Sequence, residues 1–402
     1  MKTPERLLAA CLIACLAFTS CKKVEDPLPD GTDNTEKHFV GILKEYELTA
    51  LEMQQGAQDM VGEKADLSIL KIPWHAAKIT VIRYRTTDAL GKTVEASGVI
   101  TRRTDWDGDF LGLYAVQHGT CDYDICPSKL TFSPEAAPCL KGYIAVEADY
   151  LGYGYSETDD RFHPYLHAES TAQACYDMLL ATKEYLEENH VAYRDTTHLI
   201  GYSQGGGATI ALLKKLEEKN YPNIGKVCAG GSPLSLSITF NSLLKDSAKY
   251  SNYDQTVFSL MILRSMDRCH QLDIDWSRIF KPEFADVMEL LESGKSFAEI
   301  NTVLGKDVRK IISEDFFTED PAAVNPEIAR LYQAFEQNDL IENFAPQHKV
   351  TLYHEPKDEI VPYGNSQKAA EKHANYTLKN LTSTVHFTGA VEFLLLFLND
   401  KI

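Results

Sequence analysis

The chain has 402 residues, enough for two or three domains or for one large α/β domain carrying an insertion. Hydrophobic residues make up 44%, charged residues 24% and aromatics 10%, which excludes a collagen-like, mucin-like or mostly disordered chain. Lys and Arg number 40 against 58 Asp and Glu, and the net charge of −18 removes any electrostatic drive toward nucleic acid.

The chain opens as an address. Lys2 and Arg6 precede or flank an apolar run over residues 7–18. That run is too short to span a bilayer and suits the apolar region of a secretory signal. Thr19 and Ser20 follow, then Cys21. A small residue before a cysteine at this point resembles the lipobox of bacterial lipoproteins, although Phe18 stands where Leu is more usual. The resemblance implies a signal peptide over 1–20, cleavage before Cys21 and a lipid anchor on Cys21. The product would be exported and attached to a bacterial membrane, in the periplasm or at the cell surface. Losing Lys2, Glu5 and Arg6 with the signal takes the net charge only from −18 to −19, so the acidity belongs to the folded part. Residues 21–35, with the stretch DPLPDGTDN, read as a flexible tether. No long apolar run follows residue 20, so no internal membrane span is expected.

Nine cysteines are present, of which Cys11 and Cys15 fall in the signal. Beyond Cys21 six remain, and an exported chain can oxidise them. Cys121, Cys126 and Cys139 share one loop region, where one bridge is expected. Cys175, in a helical pattern, and Cys228, in a strand pattern, read as buried thiols. The spacings match no zinc site, and neither a metal nor a cofactor is expected.

Residues 36–57 read as an amphipathic helix. Two strand patterns follow at 78–86 and 94–101, joined by a turn at 88–91. Short apolar strands (111–117, 143–148, 197–202, 226–229, 349–353) then alternate with longer helical stretches such as 170–189 and 205–219. That alternation predicts a mostly parallel sheet covered by helices on both faces. After Ser232 and Pro233 the signal turns helical for about a hundred residues. Phe284, Val287, Met288 and Leu291 keep helical spacing, and Ser296 with Glu299 forms a capping box. The division expected is a core over 36–232, a helical cap over 233–345 and the rest of the core over 346–402. A last strand, 376–383, precedes an apolar helix, 390–398.

The sharpest chemical signal is Gly201-Tyr202-Ser203-Gln204-Gly205, between a strand and a helix opening on small residues. A serine on such a turn sits on strained backbone, and side chains at the flanking glycines would clash. A hydroxyl needs a base, and the base needs an orienting acid. Asp358 lies just after a sheet strand, with Glu355 and Glu359 as competitors. His386 follows the last strand, with His348, His354 and His373 as alternatives. The N–H of Gln204, with that of Gly119 or Thr120 in His118-Gly119-Thr120, could hold an oxyanion.

These motifs resemble the α/β-hydrolase superfamily in order, spacing and context. Its acid loop is similar to Asp358-Glu359-Ile360-Val361-Pro362, and its Asp-x-x-Gly-x-Gly-x-Ser loop to residues 149–156. The resemblance implies a structural Asp149, with the tyrosines of that loop as pocket wall. It implies the α/β-hydrolase fold, with Ser203 as nucleophile, His386 as base and Asp358 as its partner. The helical insertion together with GYSQGG and DEIVP resembles the secretory-lipase group. The expected function is exported hydrolysis of carboxylic esters, of lipid, glycan or small-molecule origin, through an acyl-enzyme. Two rivals stay open: a serine peptidase using acids such as Asp273, Asp275, Glu289 and Glu292 to bind an ammonium, and a non-catalytic binding lipoprotein. The dense run Val257, Phe258, Leu260, Met261, Ile262 and Leu263 is expected to be buried before it is expected to line a pocket.

Overall fold

A computed structural model describes residues 37–61, 73–123, 125–156, 162–250 and 255–402. The signal, the tether and Cys21 lie outside the described residues.

The first element departs from expectation. Residues Phe39–Leu48 form strand β1, not the start of a helix, and helix α1 begins only at Ala50–Val61. Strand β1 is a sheet edge that pairs with β2 (Ala77–Thr87), and its register shifts twice, between Phe39 and Gly41 and between Ile42 and Lys44. Each bulge breaks the two-residue alternation of a strand. The inward residues Leu43 and Tyr46 are therefore three apart, as on a helix face. Thr49 and Glu52 then bond reciprocally at the start of α1.

Strand β3 (Thr93–Arg103) returns from β2 through a turn in which the Asp88 carboxylate accepts the Leu90 N–H at 2.9 Å. Next come β4 (Leu113–Gln117), β5 (Ile144–Ala148), α2 (Ala168–Glu188), β6 (Thr197–Tyr202), α3 (Gln204–Glu218) and β7 (Ile224–Gly230). The described strands make one nine-stranded sheet in the order β1-β2-β3-β5-β4-β6-β7-β8-β9, where β8 is Val350–His354 and β9 is Tyr376–Asn380. Pairing is antiparallel from β1 to β5 and parallel from there to β9.

Burial explains why the central strands read as plain apolar runs. In β4, Leu113 and Ala115 face the core shared with α2 and α3, whereas Tyr114 and Val116 face the opposite layer. The same alternation holds in β7, with Val227 and Ala229 on one side and Cys228 on the other. Both faces are covered, so neither set of positions needs a polar residue.

Between β7 and β8 the chain is helical: α4 (Leu236–Lys245), α5 (Gln255–His270), α6 (Phe297–Leu304) and α7 (Pro326–Gln337), with one-turn and 3-10 helices between them. The expected capping box opens α6. Phe284 and Val287 to Leu291 lie in two 3-10 helices instead of one α-helix. The segment has its own apolar core, built on Phe240, Leu260, Leu263, Ile311, Leu331 and Phe335. The run at 257–263 lies largely in that core, as burial predicts. Leu340, Ile341 and Phe344 already return to the core of the sheet. Beyond β8, α8 (Gly364–Lys372) precedes β9, and α9 (His386–Leu398) closes the face opposite α2 and α3. Among the described residues no helix is long and apolar enough to cross a membrane.

The six described cysteines are free thiols, so the expected bridge among Cys121, Cys126 and Cys139 is not made. Cys126 sits in the main core while Cys139 packs with Leu140, Val99 and Met53 in a separate cluster. Cys175 and Cys228 are buried, as their patterns predict.

Phe240 is fully buried and packs its ring 5.6 Å from Phe335 and 5.7 Å from Phe316. Phe240→Ala is expected to cost about 3–5 kcal/mol in the stability of the helical segment. Urea unfolding followed by tryptophan and tyrosine fluorescence measures that loss.

Candidate active site

Ser203 occupies the tight turn from β6 into α3, with φ of +60° and ψ of −126°. This lies outside the ordinary left-handed region, and a residue held there costs on the order of 1–3 kcal/mol. Its surroundings force the conformation. A side chain at Gly201 would meet the Gly205 carbonyl at 2.3 Å, and one at Gly205 would meet the Gln117 carbonyl at 2.0 Å. The strand–helix crossing is therefore as close as two backbones allow. The serine's own N–H donates to the Gly230 carbonyl at 2.9 Å, which ties the turn to β7.

The loop after β4 passes directly over the serine. A Cβ on Gly119 would lie 3.9 Å from Ser203 Cβ. Thr120 turns its hydroxyl away, to Tyr165 at 2.8 Å. The N–H groups of Gly119, Thr120 and Gln204 find no acceptor among the described residues. For Gln204 this follows from its place as the first residue of α3, where a helix leaves its donors unpaired. His118 holds the loop from below, with ring nitrogens facing the carbonyls of Gly119 (2.7 Å) and Asp149 (3.2 Å). Tyr150 donates to the His118 carbonyl and Tyr153 to the Cys121 carbonyl. Both rings are fully buried and underpin this loop, whereas Tyr155, the third tyrosine of residues 149–156, is exposed. Asp149 accepts from Ser97 and from the Ser128 N–H, which is structural work.

Asp358 and His386 come together from the far ends of two connections. Asp358 lies in the loop after β8, and His386 is the first residue of α9 instead of the last of a loop. His386 Nδ1 is 2.7 Å from Asp358 Oδ2. The other oxygen, Oδ1, accepts the N–H groups of Ile360 (2.7 Å) and Val361 (2.8 Å). Burial would raise the Asp358 pKa, but the neighbouring histidines outweigh it and hold the carboxyl well below the usual carboxylate range. Burial pulls the His386 pKa down, and Asp358, helped by Glu355 and Glu359, reverses this and leaves it raised. His386 Nε2 is buried and has no hydrogen-bond partner among the described residues. The imidazole lies against Tyr202, with ring centroids 5.0 Å apart, and so beside the serine turn.

The competing residues all have other work. Glu359 accepts the His386 N–H at 3.1 Å and so pins the start of α9. His348 bonds Glu217, and His373 bonds the Ile341 carbonyl. His354 has a role that sequence reasoning passed over. Its Nε2 is 3.1 Å from both Asp358 Oδ2 and the Val361 carbonyl, and its Nδ1 is 2.7 Å from Ser366 Oγ. Two acceptors at Nε2 place the proton there, leaving Nδ1 to accept from the serine. The available signal was a histidine four residues ahead of the acid, at the end of the strand that carries it.

Glu355, Asp358 and His386 also form the one group of three potential metal ligands found among the described residues. Their ligand atoms are already directed at one another, at Tyr202 and at backbone N–H groups.

A family model for secretory lipases matches residues 135–391, more than half of the chain. The chain belongs to the secretory lipase family. Curated protein sequences give no significant match. Among solved structures, a Legionella pneumophila protein provisionally described as a hydrolase is 22% identical, with a TM-score of 0.72 over 90% of this chain and 96% of that one. The rice cell wall degrading esterase LipA from Xanthomonas oryzae is 21% identical, with a TM-score of 0.71 over 90% and 97% of the two chains. Candida antarctica lipase A in its closed state is 16% identical, with a TM-score of 0.61 over 90% and 84%. The fold is thus that of the α/β hydrolases, and the protein is a carboxylic ester hydrolase.

In this secretory lipase the glycines of the serine turn are not equivalent. Gly205→Ala drives a methyl group into the Gln117 carbonyl, whereas at Gly207 the nearest contact to a new Cβ is 3.2 Å. The first substitution is expected to cost several kcal/mol and the second to stay within about 1 kcal/mol of neutral, since Ala favours a helix interior. Thermal unfolding of the two variants measures the contrast.

Proposed function

We propose that this protein is an exported serine esterase that works through an acyl-enzyme. Ser203 Oγ attacks the ester carbonyl and passes its proton to His386 Nε2. Asp358 holds the Nδ1 proton and stabilises the imidazolium that forms. The N–H of Gln204, with that of Gly119 or Thr120, receives the oxyanion. His386 returns the proton to the departing alcohol. Water, activated by the same imidazole, then releases the acid.

The observation that carries this reading is the state of His386. One ring nitrogen is fixed on a buried carboxylate, and the other is buried beside the serine turn with no partner. A buried histidine with a structural role is ordinarily satisfied at both nitrogens. No step in the proposal calls on a metal or a cofactor.

The helical segment over 233–345 is proposed to act as the cap that shapes the substrate site. A void of about 10 Å³, the space of a single water, lies between it and the loops after β4 and β5, lined by Tyr123, His163, Met261, Leu291 and Phe297 among others. His163 links it to the site floor, because its Nε2 accepts from the Gln204 side-chain amide at 2.8 Å. Burial lowers the His163 pKa to about 3, so it stays neutral. A peptidase would need two converging carboxylates, but Glu292 pairs with Arg264 and Asp275 caps its own 3-10 turn. Membership of a secretory family supports export, and Cys21 is the proposed lipid anchor.

The test is hydrolysis of p-nitrophenyl acetate, butyrate and palmitate, with alanyl-p-nitroanilide as the peptidase control. Ester turnover is expected to exceed anilide turnover, and the chain-length profile sizes the acyl site. Ser203→Ala and His386→Ala are each expected to lose about 10³-fold or more in kcat with the fold intact, because such residues act as a unit. Full activity in Ser203→Ala would overturn the mechanism. The base must be neutral to act, and the His386 pKa is raised from the ordinary value of 6.5. The acid limb of the kcat/KM profile is therefore expected to inflect above that value, with activity rising as pH increases.

A further inference from the structure

The mechanism above leaves one buried carboxylate unused. Glu355 follows β8 directly and has no exposed surface. Its Oε1 is 2.6 Å from the Tyr202 hydroxyl and 3.8 Å from His386 Nδ1. The histidine nitrogen that bonds Asp358 therefore faces a second carboxyl group. Gly389, one turn into α9 from His386, makes this possible. A Cβ there would come within 2.3 Å of Glu355 Oε1 and 2.4 Å of the Tyr202 hydroxyl.

The hydrogen bonds also say where a proton belongs. The Tyr202 hydroxyl lies 3.0 Å from the His386 carbonyl as well as near Glu355, so it has one proton for two oxygens. Both bonds are made if Glu355 Oε1 carries a proton, donates it to the tyrosine oxygen, and the tyrosine donates to the carbonyl. Glu355 Oε2 is buried without a hydrogen-bond partner among the described residues, which a neutral carboxyl tolerates better than a carboxylate. The charged and titratable groups around it are Asp358 and Glu359 from its own loop, His386 from α9 and Tyr202 from β6. Burial and the Asp358 charge raise the Glu355 pKa to about 7, against the pull of His386 and Tyr202.

We propose that Glu355 is a positioning residue and the second acid of this site: it rests protonated against Tyr202 and, on losing that proton to water, shares His386 Nδ1 with Asp358 and holds the histidine in its place. The proposal rests on the serine esterase reading, and comparing wild type with Ser203→Ala tests that reading separately.

The experiment compares Asp358→Ala with Asp358→Ala/Glu355→Gln in p-nitrophenyl butyrate hydrolysis from mildly acidic to alkaline pH. The single variant is expected to retain about tenfold or more activity over the double, as one hydrogen bond to a charged group would give. Its activity is expected to climb with pH as Glu355 ionises, while the double variant stays at its floor. Equal rates for the two at every pH would overturn the proposal. Asp358→Asn, with and without Glu355→Gln, serves if the alanine variant does not fold. Proton NMR adds a readout independent of turnover. The downfield His386 Nδ1 proton is expected to persist in the single variant and vanish in the double; its loss in the folded single variant would equally sink the idea.

Discussion

The site is organised around one carboxylate that the fold keeps ionised. Asp358 is fully buried, where an isolated charge would be neutralised by a rise in pKa. Four hydrogen bonds prevent this, two from backbone N–H groups to Oδ1 and two from imidazoles to Oδ2. The four donors come from three separate constraints. Ile360 and Val361 are presented by the tight loop after β8. His354 is the last residue of β8, and His386 opens α9. The charge therefore reports that β8, its loop and the C-terminal helix are all in place. Removing any one donor returns part of the desolvation cost to the carboxylate.

A second constraint acts at the serine turn. The strained backbone of Ser203 persists because β4, β6, β7 and α3 over-determine it. The glycines at 201 and 205 let the elements approach, and the Ser203 N–H closes onto β7. The strain leaves Gln204 at the head of α3 with its N–H unpaired, next to the similarly unpaired donors of the β4 loop. The proposed nucleophile and the proposed oxyanion donor at Gln204 are thus two consequences of one turn. The tyrosines at 150 and 153 serve the same end from below, because they fix the loop that carries Gly119 and Thr120.

Sequence reading went furthest where function depends on residues close in the chain. The serine turn and the strand–loop placement of Asp358 are local, and their spacing carries them. The sheet was legible because both its faces are covered, so its strands show as uninterrupted apolar runs. Strand β1 reads as helix for a definite reason: the bulge between Ile42 and Lys44 sets the inward residues Leu43 and Tyr46 three apart. The cysteines misled because closeness in a loop does not pair thiols: Cys121 and Cys126 pack in the same cluster without bonding, and Cys139 packs in another. His354 and Glu355 were visible only as rivals to the residues they surround. A one-dimensional reading ranks candidates, whereas the fold assembles several of them around one proton.

The division of labour between sheet and helices follows from these bonds. Every group proposed to handle a proton sits on the sheet, on the loops at its carboxyl edge or at the start of α9. The helical segment has a separate apolar core and reaches the acid loop through few polar contacts, among them the Gln255 amide on the Glu359 and Ile360 carbonyls. A segment held this way can change its lining without disturbing the Asp358 network. In the proposed mechanism the chemistry is then fixed by the sheet, and the helices, which contribute none of the groups proposed to move a proton, are left to shape the acyl or alcohol site.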